Sequence, residues 1–90
     1  MKDKLKNWRH QIDTLDEDLV SILAKRVTIV RKIGMYKKTR GLAPLDEKRW
    51  HAVLAAQISR AERHNLSVDF IKKLYDLIHK YSLEIETNNK

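Results

Sequence analysis

Hydrophobic residues recur every three or four positions through the first forty residues of the chain. The row consists of Leu5, Trp8, Ile12, Leu15, Leu19, Ile22, Ile29 and Ile33. This spacing places them on one helical face and predicts a helix from about Lys4 to about Thr39. A second row lies beside the first: Val20, Leu23, Val27 and Val30. The two rows predict that the middle of this helix is buried against more than one neighbour.

The segment "RGLAP" predicts the end of the first helix. Gly41 can adopt a positive φ, and Pro44 disfavours the helical region for the residue before it. Asp46 is a suitable N-cap for a second helix, which "HNL" ends if Asn65 adopts the left-handed conformation. The apolar positions of that helix are Trp50, Val53, Leu54, Ile58 and Ala61.

A third helix is predicted after Ser67, whose hydroxyl can cap it. Its apolar face comprises Phe70, Ile71, Leu74, Tyr75, Leu77, Ile78, Tyr81 and Ile85. The final "TNNK" is expected to fray. The predicted fold is therefore all-α, with one long helix and two shorter ones in a single domain over residues 1–90.

The length of the first helix indicates a dimer. A helix of roughly 35 residues is about 50 Å long, whereas a compact chain of this size has a radius of gyration near 12 Å. Two shorter helices cannot cover it, so we expect two chains to form an intertwined six-helix homodimer. The alternative is a kink near Gly34 that gives a monomeric bundle.

Composition limits the chemistry. The chain has 90 residues, no cysteine and a formal net charge of +7. Disulfides and thiolate metal sites are therefore excluded, and anionic partners are expected. The start "MKDKLKNW" lacks an apolar targeting segment, and no apolar run approaches about 18 residues. We expect a cytoplasmic protein with no membrane association.

Three cations on the first helix are candidate ligand-binding residues. Arg26 interrupts the apolar row, and Lys37 lies about three turns further on the same face. Arg9 points roughly 100° away from Arg26 and would serve a different pocket, which in a dimer could be the partner's. The alternative interpretation pairs Arg26 with a carboxylate and leaves Lys37 and Arg9 at the surface.

The third helix supports the ligand interpretation. Ser82 and Glu86 continue the row of Ile71, Tyr75 and Ile78, so that a buried stripe becomes polar at one end. Polar groups at the end of apolar stripes predict a polar cavity inside the bundle.

These residues resemble the all-helical chorismate mutases over nearly the whole chain. The matching segments are "WRHQIDTLDEDLVSILAKR", "IGMYK", "LDEKR" and "NLSVDFIKKLYDLIHKYSLEIE". Family positions match at Arg9, Arg26, Lys37, Asp46, Arg49, Ser82 and Glu86, in the same order and with the same spacings.

The resemblance implies the pericyclic rearrangement of chorismate, a small dicarboxylate, to prephenate without cofactor or metal. It implies that Arg26 and Arg9 of the partner subunit hold the carboxylates. Lys37 would donate to the breaking ether oxygen, with Glu86 on its other side. The remaining matched residues, Asp46, Arg49 and Ser82, would line the carboxylate and ring-hydroxyl ends.

Two departures keep alternatives open. Trp50 occupies a position where many members have a glutamate that helps bind the ring hydroxyl. Isochorismate pyruvate lyases and amino-deoxychorismate mutases use the same scaffold and remain alternatives. Glu86 stands where many bacterial members have glutamine, and it must be protonated to donate a hydrogen bond.

Functions of other classes are also conceivable. A non-catalytic basic helical dimer could bind protein, or could bind nucleic acid through clusters such as "KKTR" and "RAERH". No helix-turn-helix signature supports nucleic-acid binding, and 12 acidic residues are interspersed. The four histidines, His10, His51, His64 and His79, show no metal-ligand spacing and are expected at the surface or its boundary.

Overall fold

The computed structural model describes residues 2–88, which form three helices and no strand. The helices are α1 (Lys2–Thr39), α2 (Glu47–Arg63) and α3 (Val68–Asn88). The predicted all-α class and the three helices are confirmed. The prediction of a frayed end was wrong for Thr87 and Asn88, which are helical; Asn89 and Lys90 lie outside the described residues.

The helix ends follow the predicted turn and capping chemistry. Gly41 has a φ of 65° and Asn65 a φ of 56°, so both adopt the left-handed conformation. Oδ1 of Asp46 accepts a hydrogen bond from the backbone N–H of Arg49 at 3.0 Å. Oγ of Ser67 accepts one from the backbone N–H of Phe70 at 3.2 Å. These side chains satisfy N–H groups that a helix cannot pair internally.

Helix α3 packs against both α1 and α2. Its buried residues Ile71 and Ile85 form a small core with Val30 of α1 and Ala61 of α2. Helices α1 and α3 pack closely at Gly34, where a Cβ would lie 2.9 Å from Cα of Glu86. Helix α1 continues without interruption through Gly34, so the kinked alternative does not occur. Gly34 instead permits close helix packing.

The N-terminal half of α1 extends beyond the other helices. The described chain measures 59 × 26 × 15 Å and has a radius of gyration of 16.7 Å. The apolar row remains exposed there, with Trp8 at 59% and Leu15 at 60%. Of the second row, Val30 is buried within one chain, whereas Val20 is 65% exposed because α2 and α3 are too short to reach it. Burial of Val20 against a second chain stays a prediction.

None of the three described helices is both long enough and apolar enough to cross a lipid bilayer.

Candidate functional site

The C-terminal half of α1 and the polar ends of α2 and α3 enclose a cavity of about 220 Å³. Six of the seven predicted site residues line it: Arg26, Lys37, Asp46, Arg49, Ser82 and Glu86. Apolar side chains, among them Val30, Ile33 and Leu83, complete the wall. The structure thus brings charged groups from three helices around one space. The helical spacing had predicted only which polar side chains share a face on α1, and which share a face on α3.

Arg26 is bound to Ser82 across the α1–α3 interface. Its Nη1 donates a hydrogen bond of 2.8 Å to Oγ of Ser82, a residue 56 positions away in sequence. Ser82 is buried, whereas Arg26 is half-buried. The hydroxyl orients the guanidinium without neutralising its charge, so Arg26 keeps its positive charge available to the cavity.

Lys37 is held by two groups at the other end of the cavity. Its Nζ donates a hydrogen bond of 2.6 Å to the carbonyl oxygen of Pro44. The same Nζ lies 2.8 Å from Oε1 of Glu86, and the two side chains are only 20% and 11% exposed. These contacts connect α1, the loop before α2, and α3 at one ammonium group.

The contact between Lys37 and Glu86 is an ion pair that does not count as a hydrogen bond. Oε1 of Glu86 is therefore buried without a hydrogen-bonding donor from the described residues. The short distance establishes charge pairing, but a hydrogen bond also requires a favourable angle. Glu86 thus retains hydrogen-bonding capacity at the cavity.

Asp46 and Arg49 line the cavity from the first turn of α2, and both are exposed. The hydrogen bond that the backbone N–H of Arg49 donates to Asp46 fixes this turn, which places the Arg49 side chain beside the cavity. Both residues are accessible to an incoming ligand.

An aromatic pair forms another part of the wall. The rings of Trp50 and His79 are stacked with centroids 3.9 Å apart and an interplanar angle of 8°. The sequence pattern predicted Trp50 as an apolar position of α2 and His79 as a surface or boundary residue, whereas both line the cavity. The spacing Tyr75, His79, Ser82 and Glu86, in steps of four, three and four, was the available signal.

Arg9 does not join this cavity within one chain. It lies on a separate, more open depression with Lys6, His10 and Asp13. At 1.5 Å per residue, Arg9 is about 26 Å along α1 from Arg26. An arginine side chain cannot span that distance, so one chain supplies only part of the predicted residue set.

The cavity suits an anionic ligand held by charge and shape. Three cationic side chains, Arg26, Lys37 and Arg49, face it together with the carboxylates of Asp46 and Glu86. Within residues 2–88, no three His, Asp or Glu side chains converge as a metal site. Fixed cations in a partly buried cavity can bind carboxylates and stabilise negative charge that develops on a ligand.

Comparison with known sequences decides the family. The family model described as chorismate mutase type II matches residues 8–87. The chain belongs to this family. The matched region contains the cavity and Arg9, so every predicted site residue lies within it.

Relatives of this chain differ in size and stated activity. A T-protein from Haemophilus influenzae is 33% identical over 86 residues, covering 96% of this chain and 22% of the relative. A bifunctional chorismate mutase/prephenate dehydratase from Buchnera aphidicola subsp. Schizaphis graminum is 29% identical over 77 residues, or 86% and 20%. The chain thus spans less than a quarter of the length of these two proteins.

A third relative is of similar size to the chain. It is a 4-amino-4-deoxychorismate mutase from Streptomyces venezuelae, 27% identical over 77 residues. The match covers 86% of this chain and 75% of the relative.

Proposed function

We propose that this protein catalyses the rearrangement of chorismate to prephenate, a step toward phenylalanine and tyrosine. The observation that carries the proposal is the grouping of Arg26, Lys37, Arg49 and Glu86 around one cavity in a member of the chorismate mutase type II family. Such a cavity offers what a dianionic substrate requires, namely fixed cations at a partly dehydrated site.

The reaction is an intramolecular [3,3] shift. The ether carbon–oxygen bond breaks while a carbon–carbon bond forms between the enolpyruvyl methylene and the ring. The electrons move in a closed cycle, so the step requires no nucleophile, metal or proton transfer. The protein contributes by holding the enolpyruvyl arm over the ring and by stabilising negative charge on the ether oxygen.

In this proposal, Arg26 and Arg9 of the partner subunit bind the two substrate carboxylates. Lys37 donates a hydrogen bond to the ether oxygen. Its contact with the Pro44 carbonyl uses one of three N–H donors and so leaves others for the substrate. Glu86 donates from the other side of the oxygen once it is protonated, which ends its ion pair with Lys37. Its own contribution requires the neutral acid, since a carboxylate only accepts hydrogen bonds.

Arg49, Asp46 and Ser82 occupy supporting positions. The Arg49 guanidinium adds positive charge to the cavity, and Asp46 lines the cavity beside it. Ser82 orients Arg26 through the 2.8 Å hydrogen bond. Together these contacts fix the substrate before reaction and reduce the entropy lost at the transition state.

The complete site belongs to an intertwined six-helix homodimer in this proposal. The exposed row on α1 supports a second copy, because burying this apolar surface would favour association. Two antiparallel α1 helices related by a twofold axis near residues 17–23 would place Arg9 opposite residues 25–37, by the symmetry of such a pair. That region includes the cationic side of the cavity.

A second candidate is an amino-deoxychorismate mutase. The Streptomyces venezuelae relative, which the match covers for 75% of its length, favours this alternative. It would use the same cationic cavity for a substrate with an amine in place of the ring hydroxyl. The two candidates differ in the substrate and share the reaction class.

The decisive experiment incubates purified protein separately with chorismate, isochorismate and the amino analogue, and identifies the products. Prephenate formed from chorismate at the highest kcat/KM supports the proposal. Pyruvate released from isochorismate as the main product would instead establish a lyase. Preferential rearrangement of the amino analogue would establish the second candidate. Absence of conversion of all three would refute the enzymatic proposal.

A further inference from the structure

The Trp50–His79 pair combines two cavity residues from different helices. Trp50 lies near the start of α2 and His79 in the middle of α3, with their ring planes only 8° apart. Both rings line the same space as Arg26 and Lys37. Stacking over a centroid separation of 3.9 Å restricts the orientation of the imidazole, so its ring nitrogens occupy defined positions.

His79 retains the capacity to bind a neutral polar group. Ser82 accepts a hydrogen bond from Arg26, and Asp46 accepts one from the α2 backbone. Among residues 2–88, no hydrogen bond involves the His79 imidazole. Neutral imidazole offers one donor and one acceptor, and a hydroxyl can pair with either.

The aromatic wall contains no carboxylate of its own. The surrounding charges come from Arg26 and Lys37 on α1, Asp46 and Arg49 on α2, and Glu86 on α3. Cations therefore outnumber carboxylates. Asp46 is engaged at the helix end, and Glu86 is paired with Lys37. A desolvated ammonium requires an opposing charge, whereas a hydroxyl requires only a hydrogen-bond partner.

We propose that His79, oriented by Trp50, binds the ring substituent of the substrate and makes the site select a hydroxyl over an ammonium. This inference rests on the proposed function, because it assumes that the two carboxylates of the substrate are bound by the cationic side chains. The remaining part of the substrate is then its ring with one polar substituent. His79 is a specificity-determining residue that contacts the substrate, and Trp50 is a positioning residue.

Two substitutions separate hydrogen bonding from packing. His79→Phe keeps an aromatic ring against Trp50 but removes both ring nitrogens. His79→Gln removes the stacking ring but keeps a donor and an acceptor. We expect kcat/KM for chorismate to fall roughly 3- to 10-fold in His79→Phe, mainly through KM, as expected for one lost hydrogen bond. His79→Gln should stay within about 2-fold of the parent, following the same reasoning.

A third substitution tests the choice between substituents. His79→Asp keeps Trp50 but replaces the imidazole with a carboxylate, and it should shift the kcat/KM ratio toward the amino analogue at least about 10-fold, because a paired charge offsets desolvation. The parent should favour chorismate. His51→Phe is the matched control, since this exposed histidine of α2 lies outside the cavity. Circular dichroism and thermal melting of each variant establish that it is folded.

The outcomes distinguish this inference from the proposed function. A parent that converts neither substrate would refute both. A parent that converts chorismate while His79→Phe is fully active and His79→Gln is impaired would show that the ring serves packing, and would overturn only the inference. A parent preference for the amino analogue, or an unchanged kcat/KM ratio in folded His79→Asp, would also overturn it.

Discussion

Gly34 lies so close to Glu86 that a Cβ on Gly34 would approach Cα of Glu86 to 2.9 Å. A Gly34→Ala substitution adds about 1 kcal/mol of helix propensity but overpacks the α1–α3 crossing at about 1–3 kcal/mol. We expect the free energy of unfolding to fall by about 1 kcal/mol net. Turnover should also fall, because Glu86 and its contact with Lys37 must shift.

Urea unfolding at equal chain concentration measures this effect, since the stability of a dimer depends on concentration. Ser21→Ala, at an exposed position of the same helix, is the control and should not lower stability. Increased stability of Gly34→Ala with parental turnover would show that the close crossing is unimportant.

Lys37→Ala tests the donor assigned to the breaking ether bond. Removing one donor aimed at a developing oxyanion typically lowers turnover about 10²- to 10³-fold, and we expect at least that loss here. Steady-state kcat with chorismate is the measurement. Lys38→Ala, the adjacent exposed lysine outside the cavity, should retain parental kcat. A Lys37→Ala protein that converts chorismate at the parent rate would exclude this role.

Glu86 is expected to impose a pH dependence on turnover. The protonated acid can donate to the ether oxygen, whereas the carboxylate cannot, so kcat should decrease as the pH is raised. Glu86→Gln donates at every pH and should flatten the profile. Glu84→Gln, an exposed substitution on the same helix, should keep the parental shape. Identical profiles for the parent and Glu86→Gln would reject the proposed role.

Arg9 and Arg26 can be tested for contributions from different subunits. Arg9→Ala and Arg26→Ala homodimers should each be nearly inactive. After the two proteins are mixed equally and exchange subunits, half of the dimers are mixed and each contains one intact site. About a quarter of the sites are then restored, as twofold symmetry requires. Activity recovery is the measurement.

The control mixes the Arg9→Ala, Arg26→Ala double variant with Arg9→Ala, a combination that cannot form an intact site. Subunit exchange is verified independently by mass spectrometry of differently tagged chains. Exchange without recovered activity would show that Arg9 does not complete the partner's site.

Asp46 combines a structural contact with a proposed binding position. Asp46→Ala removes the helix cap and should lower stability by about 1 kcal/mol, whereas Asp46→Asn preserves capping. If Asp46 also acts through its charge at the substrate, Asp46→Asn should reduce kcat/KM while its melting temperature stays near that of the parent. Parental kcat/KM in Asp46→Asn would restrict the residue to its capping role.

The sequence alone determined the positions of the helices and much of their chemistry. Periodicity, Gly41, Asp46, Asn65 and Ser67 located the helices and their ends, because these signals act within a few residues. The same local geometry placed Arg26 with Lys37 on α1, and Ser82 with Glu86 on α3. Family motifs then related these separate helices to one chemistry.

Only the tertiary structure decided how the helices meet. It paired Arg26 with Ser82, placed the Pro44 carbonyl on Lys37, and stacked His79 on Trp50. It also showed that Gly34 permits a close crossing without a kink. Helical spacing defines which side chains share a face, but contacts between helices depend on crossing angle, axial offset and side-chain packing, which are set by the chain as a whole.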